Sequence, residues 1–134
     1  MRALAVLLTA LLLATGCGAP GAVPDAAIPR NDGGNADLHG IAIRNVYLVS
    51  GTLYGVLING GTQADELQSA KVSTAAVTLR SGLTLQPGQP TGADQPLGSV
   101  TGVSGQVGSW VPATFQFRDA GSVTTQIPFK DRSG

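Results

Sequence analysis

The chain has 134 residues, with eight Lys+Arg against eight Asp+Glu, one His, one Cys and one Met. This length suits a single domain, and charged residues at only 12% with no net charge exclude the dense basic surface that nucleic acid requires. One Cys excludes a disulfide framework and a cysteine-only zinc site, while 43% hydrophobic residues is too apolar for a disordered chain.

Residues 1–16 have the pattern of a lipoprotein signal peptide. A positive Arg2 precedes an apolar run that is too short to cross a bilayer. The following Leu-Ala-Thr-Gly-Cys is similar to a bacterial lipobox, which implies acylation of the Cys17 thiol and cleavage between Gly16 and Cys17. An ordinary secretory signal with a nearby Cys is the alternative. Acyl chains on Cys17 would hold the protein on the extracytoplasmic face of the cell membrane.

Residues 17–36 are predicted to form the lipidated Cys and a flexible linker. The stretch after Cys17 contains three prolines and four glycines and has no helical or strand period. About 20 such residues have a root-mean-square reach of roughly 25 Å, enough to lift a small domain off a lipid surface.

Residues 37–130 have the pattern of a β domain, followed by a tail at 131–134. Short runs rich in branched and aromatic residues alternate with turn signals such as Asn59-Gly60-Gly61. The predicted strands before the C-terminal region are Ile41–Val49, Leu53–Ile58, Glu66–Ser73, Ala75–Arg80, Leu83–Leu85 and Gly98–Val103, with a loop at 86–97.

The C-terminal region predicts a hairpin with one buried face. Apolar residues alternate with mostly polar ones on both sides of the short loop Asp119-Ala120-Gly121. The inward set is Val111, Ala113, Phe115, Phe117, Val123, Thr125, Ile127 and Phe129. About seven short strands and no capped amphipathic helix predict an all-β, Ig-like antiparallel sandwich.

A search for chemistry finds little. The sequence has no nucleophile elbow, P-loop, paired-histidine zinc motif or dinucleotide fingerprint. His39 is a weak metal candidate with Asp37 as its nearby hard partner, and adjacent Asp65 and Glu66 are interpreted as solvated loop charge. The aromatic residues Tyr47, Tyr54 and Trp110 could line a pocket, but packing in the core or at the base of the hairpin is the favoured interpretation. We therefore expect no enzyme activity and no cofactor.

The run from Leu53 to Arg80 and the hairpin from Trp110 to Phe129 resemble a known family. The first is similar to a run in the periplasmic PCuAC-type copper chaperones, where one strand is followed by N-x-G-x-x-A-D-x-L and the next by A-A-x-V-x-L-H. The second is similar to the final hairpin of those chaperones. With the lipobox, the chain looks most like the actinobacterial LpqE-type lipoprotein branch. The resemblance implies a cupredoxin-like β-sandwich.

The same resemblance implies that the copper ligands are missing. The family binds Cu(I) through two His and two Met, and the first His closes the A-A-x-V-x-L-H run, where this chain has Arg80. The later ligands would fall within 81–103, which contains neither His nor Met. Arg offers no lone pair to a metal, so only the scaffold is carried over.

The resulting hypothesis is a non-catalytic, membrane-anchored envelope lipoprotein that presents the sandwich to an unknown envelope protein partner, with no nucleic acid bound. The alternative is a copper-handling accessory of the cell envelope that acts with a partner. An enzyme is the third and least supported class.

Overall fold

The structure, a computed structural model, describes residues 33–92 and 95–131, and its regular structure there is all β. This confirms the predicted fold class. Within these ranges the strands are β1 (Gly34–Leu38), β2 (Ile41–Val49), β3 (Thr52–Asn59), β4 (Asp65–Val72), β5 (Ala75–Ala76), β6 (Thr78–Leu79), β7 (Thr84–Leu85), β8 (Gly98–Ser99), β9 (Trp110–Phe117) and β10 (Gly121–Lys130).

The strands form two packed layers. One layer has the order β5-β4-β9-β10, and the other has the order β2-β3-β8-β6. One edge of β2 pairs antiparallel with β1 over most of its length and parallel with the end of β10, where Phe129 lies opposite Leu48. This short parallel contact joins the two layers into a nearly closed sheet and departs from the purely antiparallel pairing that the sequence predicts.

The structure changes two predicted boundaries. The predicted strand at 75–80 is split at Val77, because the chain there leaves β4 in one layer and pairs with β8 in the other. The segment assigned to the linker ends earlier than residue 36, since β1 begins at Gly34 and pairs with β2. Gly34 fits only because it lacks a side chain: a Cβ there would collide with the carbonyl of Gln126.

The core lies between the layers and follows the period-two pattern of the strands. In β9 the side chains of Ala113, Phe115 and Phe117 are buried, while Gln116 is exposed. In β10 only Ile127 of the predicted inward set is fully buried, and Val123, Thr125 and Phe129 remain partly exposed. The other large side chains that are almost fully buried are Ile43, Val46, Leu48, Leu53, Leu57, Val72, Leu85 and Leu97.

The sandwich has two chemically different ends. At the polar end, the turns β1–β2 (39–40), β3–β4 (60–64) and β9–β10 (118–120) come together, and the Gly60 N–H donates to the Gly40 carbonyl at 2.8 Å. At the aromatic end lie the last residues of β2 and β10, the start of β9 and the loop 100–109.

Candidate functional site

The polar end contains a cavity of about 280 Å³ formed by its three turns. Its walls bring together His39, Asn59, Asp65, Asp119 and Ala120, which are far apart in the sequence. They include His39, the predicted metal candidate, and Asn59 and Asp65, the Asn and Asp of the N-x-G-x-x-A-D-x-L motif.

Asp65 is the central polar group of this end. Its side chain points inward in phase with Leu67 and the residue is only 5% exposed. The carboxylate accepts backbone N–H bonds from Glu66 at 2.7 Å, from Asp119 at 2.9 Å and from Ala120 at 2.9 Å. The interpretation of Asp65 as solvated loop charge is therefore wrong: it ties the start of β4 to the β9–β10 turn.

The hydrogen bonds to Asp65 decide its ionisation. Burial alone raises the pKa of the Asp65 carboxyl, but the N–H groups of Asp119, Glu66 and Ala120 and the charge of Arg118 outweigh it. The pKa of Asp65 is consequently lowered, and the group is a fixed anion near neutral pH. A carboxylate that is already bound by three donors is suited to holding turns together rather than to acting as an acid or base.

The Asn59 side chain holds the β3–β4 turn through hydrogen bonds in the same way. Its side-chain amide donates to the Gln63 carbonyl at 2.7 Å and to the Leu85 carbonyl at 3.0 Å, and its Oδ1 accepts from Gly61 N–H at 2.9 Å. The N-x-G-x-x-A-D-x-L run thus has a structural explanation, because its Asn and Asp side chains each make three hydrogen bonds that fix the β3–β4 turn and fasten it to neighbouring segments.

His39 lies in the β1–β2 turn with a φ of 44°, and its Nδ1 is 2.8 Å from the Ala120 carbonyl. A bond to a carbonyl places the proton on Nδ1, which leaves Nε2 as the free ring nitrogen. Asp37, its expected hard partner, forms an ion pair with Arg44 at 2.8 Å. Among the described residues no group of three His, Cys, Asp or Glu side chains could hold a metal ion.

Arg80 follows β6, on the opposite layer from β4 and β9. Its backbone N–H donates to the Leu97 carbonyl at 2.9 Å, and its Nη1 makes a long contact of 3.4 Å with the Ser81 carbonyl. The Arg80 Nε is buried and has no hydrogen-bond partner. Within 33–92 and 95–131 the one His, Cys or Met is His39, which lines the cavity at the polar end.

The aromatic residues divide between packing and exposure. Tyr47 and Tyr54 stack at 5.3 Å between ring centroids, and the Lys130 ammonium lies 4.5 Å above the Tyr47 ring. Burial and the neighbouring Tyr54 raise the pKa of Tyr47. Trp110, by contrast, is 52% exposed, so the interpretation of it as packed is wrong. Its place in the outward phase of β9, with Pro112, Thr114 and Gln116, is the signal that would have shown this.

The predicted lipidation and cleavage residues, Cys17 and Gly16, lie outside the described residues. Within 33–92 and 95–131, no helix is long and apolar enough to span a membrane.

Comparison with solved structures identifies the fold. The chain is similar to the apo PCuAC domain from PmoF1, with a TM-score of 0.60 and 19% identity, covering 73% of this chain and 99% of that one. It is also similar to the apo PmoF2 PCuAC domain, with a TM-score of 0.58, 19% identity and coverage of 74% and 97%. The copper-bound PCuAC domain from PmoF2 gives a TM-score of 0.57, 19% identity and coverage of 73% and 98%.

These similarities confirm the predicted cupredoxin-like fold. No protein-family model matches the sequence, and no curated protein matches it.

Proposed function

We propose that the protein is a lipid-anchored, non-catalytic lipoprotein of the cell envelope whose PCuAC-like sandwich is an interaction module without the copper ligands of a chaperone. The observation that carries the proposal is the combination of a PCuAC-like fold with a donor count too small for a Cu(I) site. The whole sequence has one His, one Cys and one Met, and acylation would occupy the Cys. The lipobox resemblance also supports a relation to the LpqE-type branch.

The residues that are present do not fit Cu(I) as cargo. Cu(I) prefers thioether, thiolate and imidazole ligands. Cleavage before Cys17 would also remove Met1, which leaves the His39 imidazole as the one soft or borderline donor of the mature chain. Arg80, where the family resemblance places the first ligand, carries a positive charge and no lone pair. A monomer therefore lacks the two or three converging donors that a chaperone site needs.

We expect the mature protein, kept in detergent, to lose Cu(I) to a competing chelator under anaerobic conditions. A single imidazole at His39 allows at most weak Cu(II) binding, which should disappear in His39→Ala and show no preference for the reduced metal. A chain cut at residue 37 is unsuitable, because it lacks most of β1. Stoichiometric Cu(I) retention by the monomer at sub-micromolar free metal would contradict the proposal.

The copper-bound neighbour supports one second candidate, a copper-handling accessory. In that case a partner supplies the missing donors, and His39 with its free Nε2 supplies one. Cu(I) retention only in the presence of a second envelope protein, and its loss in His39→Ala, would favour this function.

We expect the mature wild-type protein to begin at an acylated Cys17 and to partition into the detergent phase of a Triton X-114 extraction. The Cys17→Ser variant should lose the lipid, because serine offers no thiol for the thioether bond, and move to the aqueous phase. Mass spectrometry of the N-terminal peptide measures the modification directly. Mature wild-type protein in the aqueous phase with a free thiol would refute the anchor.

A further inference from the structure

The aromatic end carries the two large apolar side chains that are most exposed in the described part of the chain. Val107 is 62% exposed and Trp110 is 52% exposed. Both lie within four residues of sequence, on the loop that leads into β9 and on the first residue of that strand. Exposing an indole and a valine side chain to water costs free energy that a covering surface would recover.

This exposed pair is held in place rather than left on a free loop. The Gly108 N–H donates to the Phe129 carbonyl at 2.9 Å, and the Phe129 N–H donates to the Ser109 carbonyl at 2.9 Å. The Ser109 hydroxyl and N–H both bond the Gln106 carbonyl, at 2.6 Å and 2.9 Å. The turn is therefore fastened to the last strand, and Val107 and Trp110 are displayed on a firm support.

The surroundings of the pair are amphipathic. Val107 also lines a cavity of about 310 Å³ together with Val103, Phe129 and Lys130, and Lys130 is the cation that lies over Tyr47. Asp131 also borders this cavity, so the apolar side chains would supply most of a contact there and the Lys130 ammonium one polar contact.

The chain enters the sandwich at the same end. Strand β1 begins at Gly34, which lies opposite Val46, close to the end of β2 that meets Phe129. From there it runs toward the polar end, where Leu38 lies opposite Ile41. Fifteen residues lie between Cys17 and Gly33. A linker of that length, flexible as its composition predicts, has a root-mean-square reach of roughly 21 Å. An anchor on Cys17 would thus keep the aromatic end within about one domain diameter of the bilayer.

We propose that the aromatic end, defined by Val107, Trp110, Phe129 and Lys130, rests on the lipid surface, with Trp110 inserted at the headgroup level and Lys130 beside the phosphates. This inference rests on the proposed lipid anchor. Tryptophan and lysine have these positions at membrane interfaces because each combines an apolar body with a polar tip. The polar end, with His39 and Asp65, then faces away from the membrane and is free for a partner.

The test uses Trp110 itself, which is the only tryptophan of the sequence. Full-length lipidated protein is reconstituted into vesicles of phosphatidylglycerol and phosphatidylethanolamine, with either plain or brominated acyl chains, and flotation measures anchoring separately. We expect the protein to float and its emission to fall by about half in the brominated vesicles, since an indole at the headgroup–acyl boundary lies within reach of the bromines. Val107→Asp should float equally and lose most of the quenching.

A matched control carries the same new charge at the other end. Thr62→Asp, on the exposed β3–β4 turn, should float and be quenched like the wild type. Flotation without quenching would overturn the docking and leave the anchor standing. A blue-shifted emission that brominated lipid does not quench would do the same, because it indicates that a protein or a second copy covers Trp110. Failure to float would overturn the anchor and, with it, the docking.

Discussion

Replacing Phe117 by alanine is expected to lower the free energy of unfolding by about 3–5 kcal/mol, the usual cost of truncating a buried phenylalanine. The ring is 1% exposed and lies opposite Leu67 of β4 in the register of the first layer. Removing it leaves a cavity between the layers that neighbouring side chains on paired strands fill only in part. Equilibrium denaturation of the wild type and the variant in urea measures the difference.

The control is Gln116→Ala, one residue earlier in the same strand. Gln116 is exposed on the outer face, so its truncation should change the free energy of unfolding by less than about 0.5 kcal/mol. Arg118 is a poorer control than its outward position indicates, because its guanidinium donates to the Ala64 carbonyl at 3.0 Å and pairs with Asp119. Similar losses for Phe117→Ala and Gln116→Ala would mean that the inward face of β9 is assigned incorrectly.

The sequence predicts the long strands well because their burial is local information. Alternation in β9 places Phe115 and Phe117 inward, and the short Gly-containing loop at 119–121 predicts the hairpin that the structure contains. The predicted strands Ile41–Val49 and Leu53–Ile58 are likewise joined by a short turn and pair antiparallel, with Leu48 opposite Leu53. In each case the side-chain period and the turn residues lie next to each other in the chain.

Features that depend on distant partners are not predictable in this way. The residues around Gly34 have the composition of a linker, yet β1 forms there because it can pair with the edge of β2 next to the short contact with β10. The split at Val77 arises because β5 pairs with β4 in one layer and β6 pairs with β8 in the other. Neither the edge of β2 nor the choice of layer is visible within a few residues of these positions.

The polar end shows the same limit for the site. Adjacent residues of a strand point to opposite faces, and Asp65 is buried while Glu66 is partly exposed. Only the structure shows that Asp65 meets N–H groups from a turn 54 residues away. His39 is placed beside Ala120 by that same meeting of turns, 81 residues apart. The sequence therefore supplies the chemistry of each side chain and not the partner that determines its role.

Replacing Asp65 by alanine is expected to lower the free energy of unfolding by about 3 kcal/mol or more, because the N–H groups of Glu66, Asp119 and Ala120 lose a charged acceptor together. Asp119→Ala removes an equal charge close by but only an exposed ion pair with Arg118. It should cost under about 1 kcal/mol. Losses of similar size in the two variants would show that Asp65 does not hold the turns together.

The lowered pKa of Asp65 adds a pH signature to this loss. A carboxyl whose pKa is lower in the folded state than in the unfolded chain contributes stability that is fully present above the unfolded value, near 3.8. That contribution is lost as the pH falls through the folded value. We therefore expect the stability difference between the wild type and Asp65→Asn to be constant near neutral pH and to shrink below about pH 4. Urea denaturation at a series of pH values measures it, and a difference that grows on acidification would contradict the assignment of Asp65 as the buried anion that joins β4 to the β9–β10 turn.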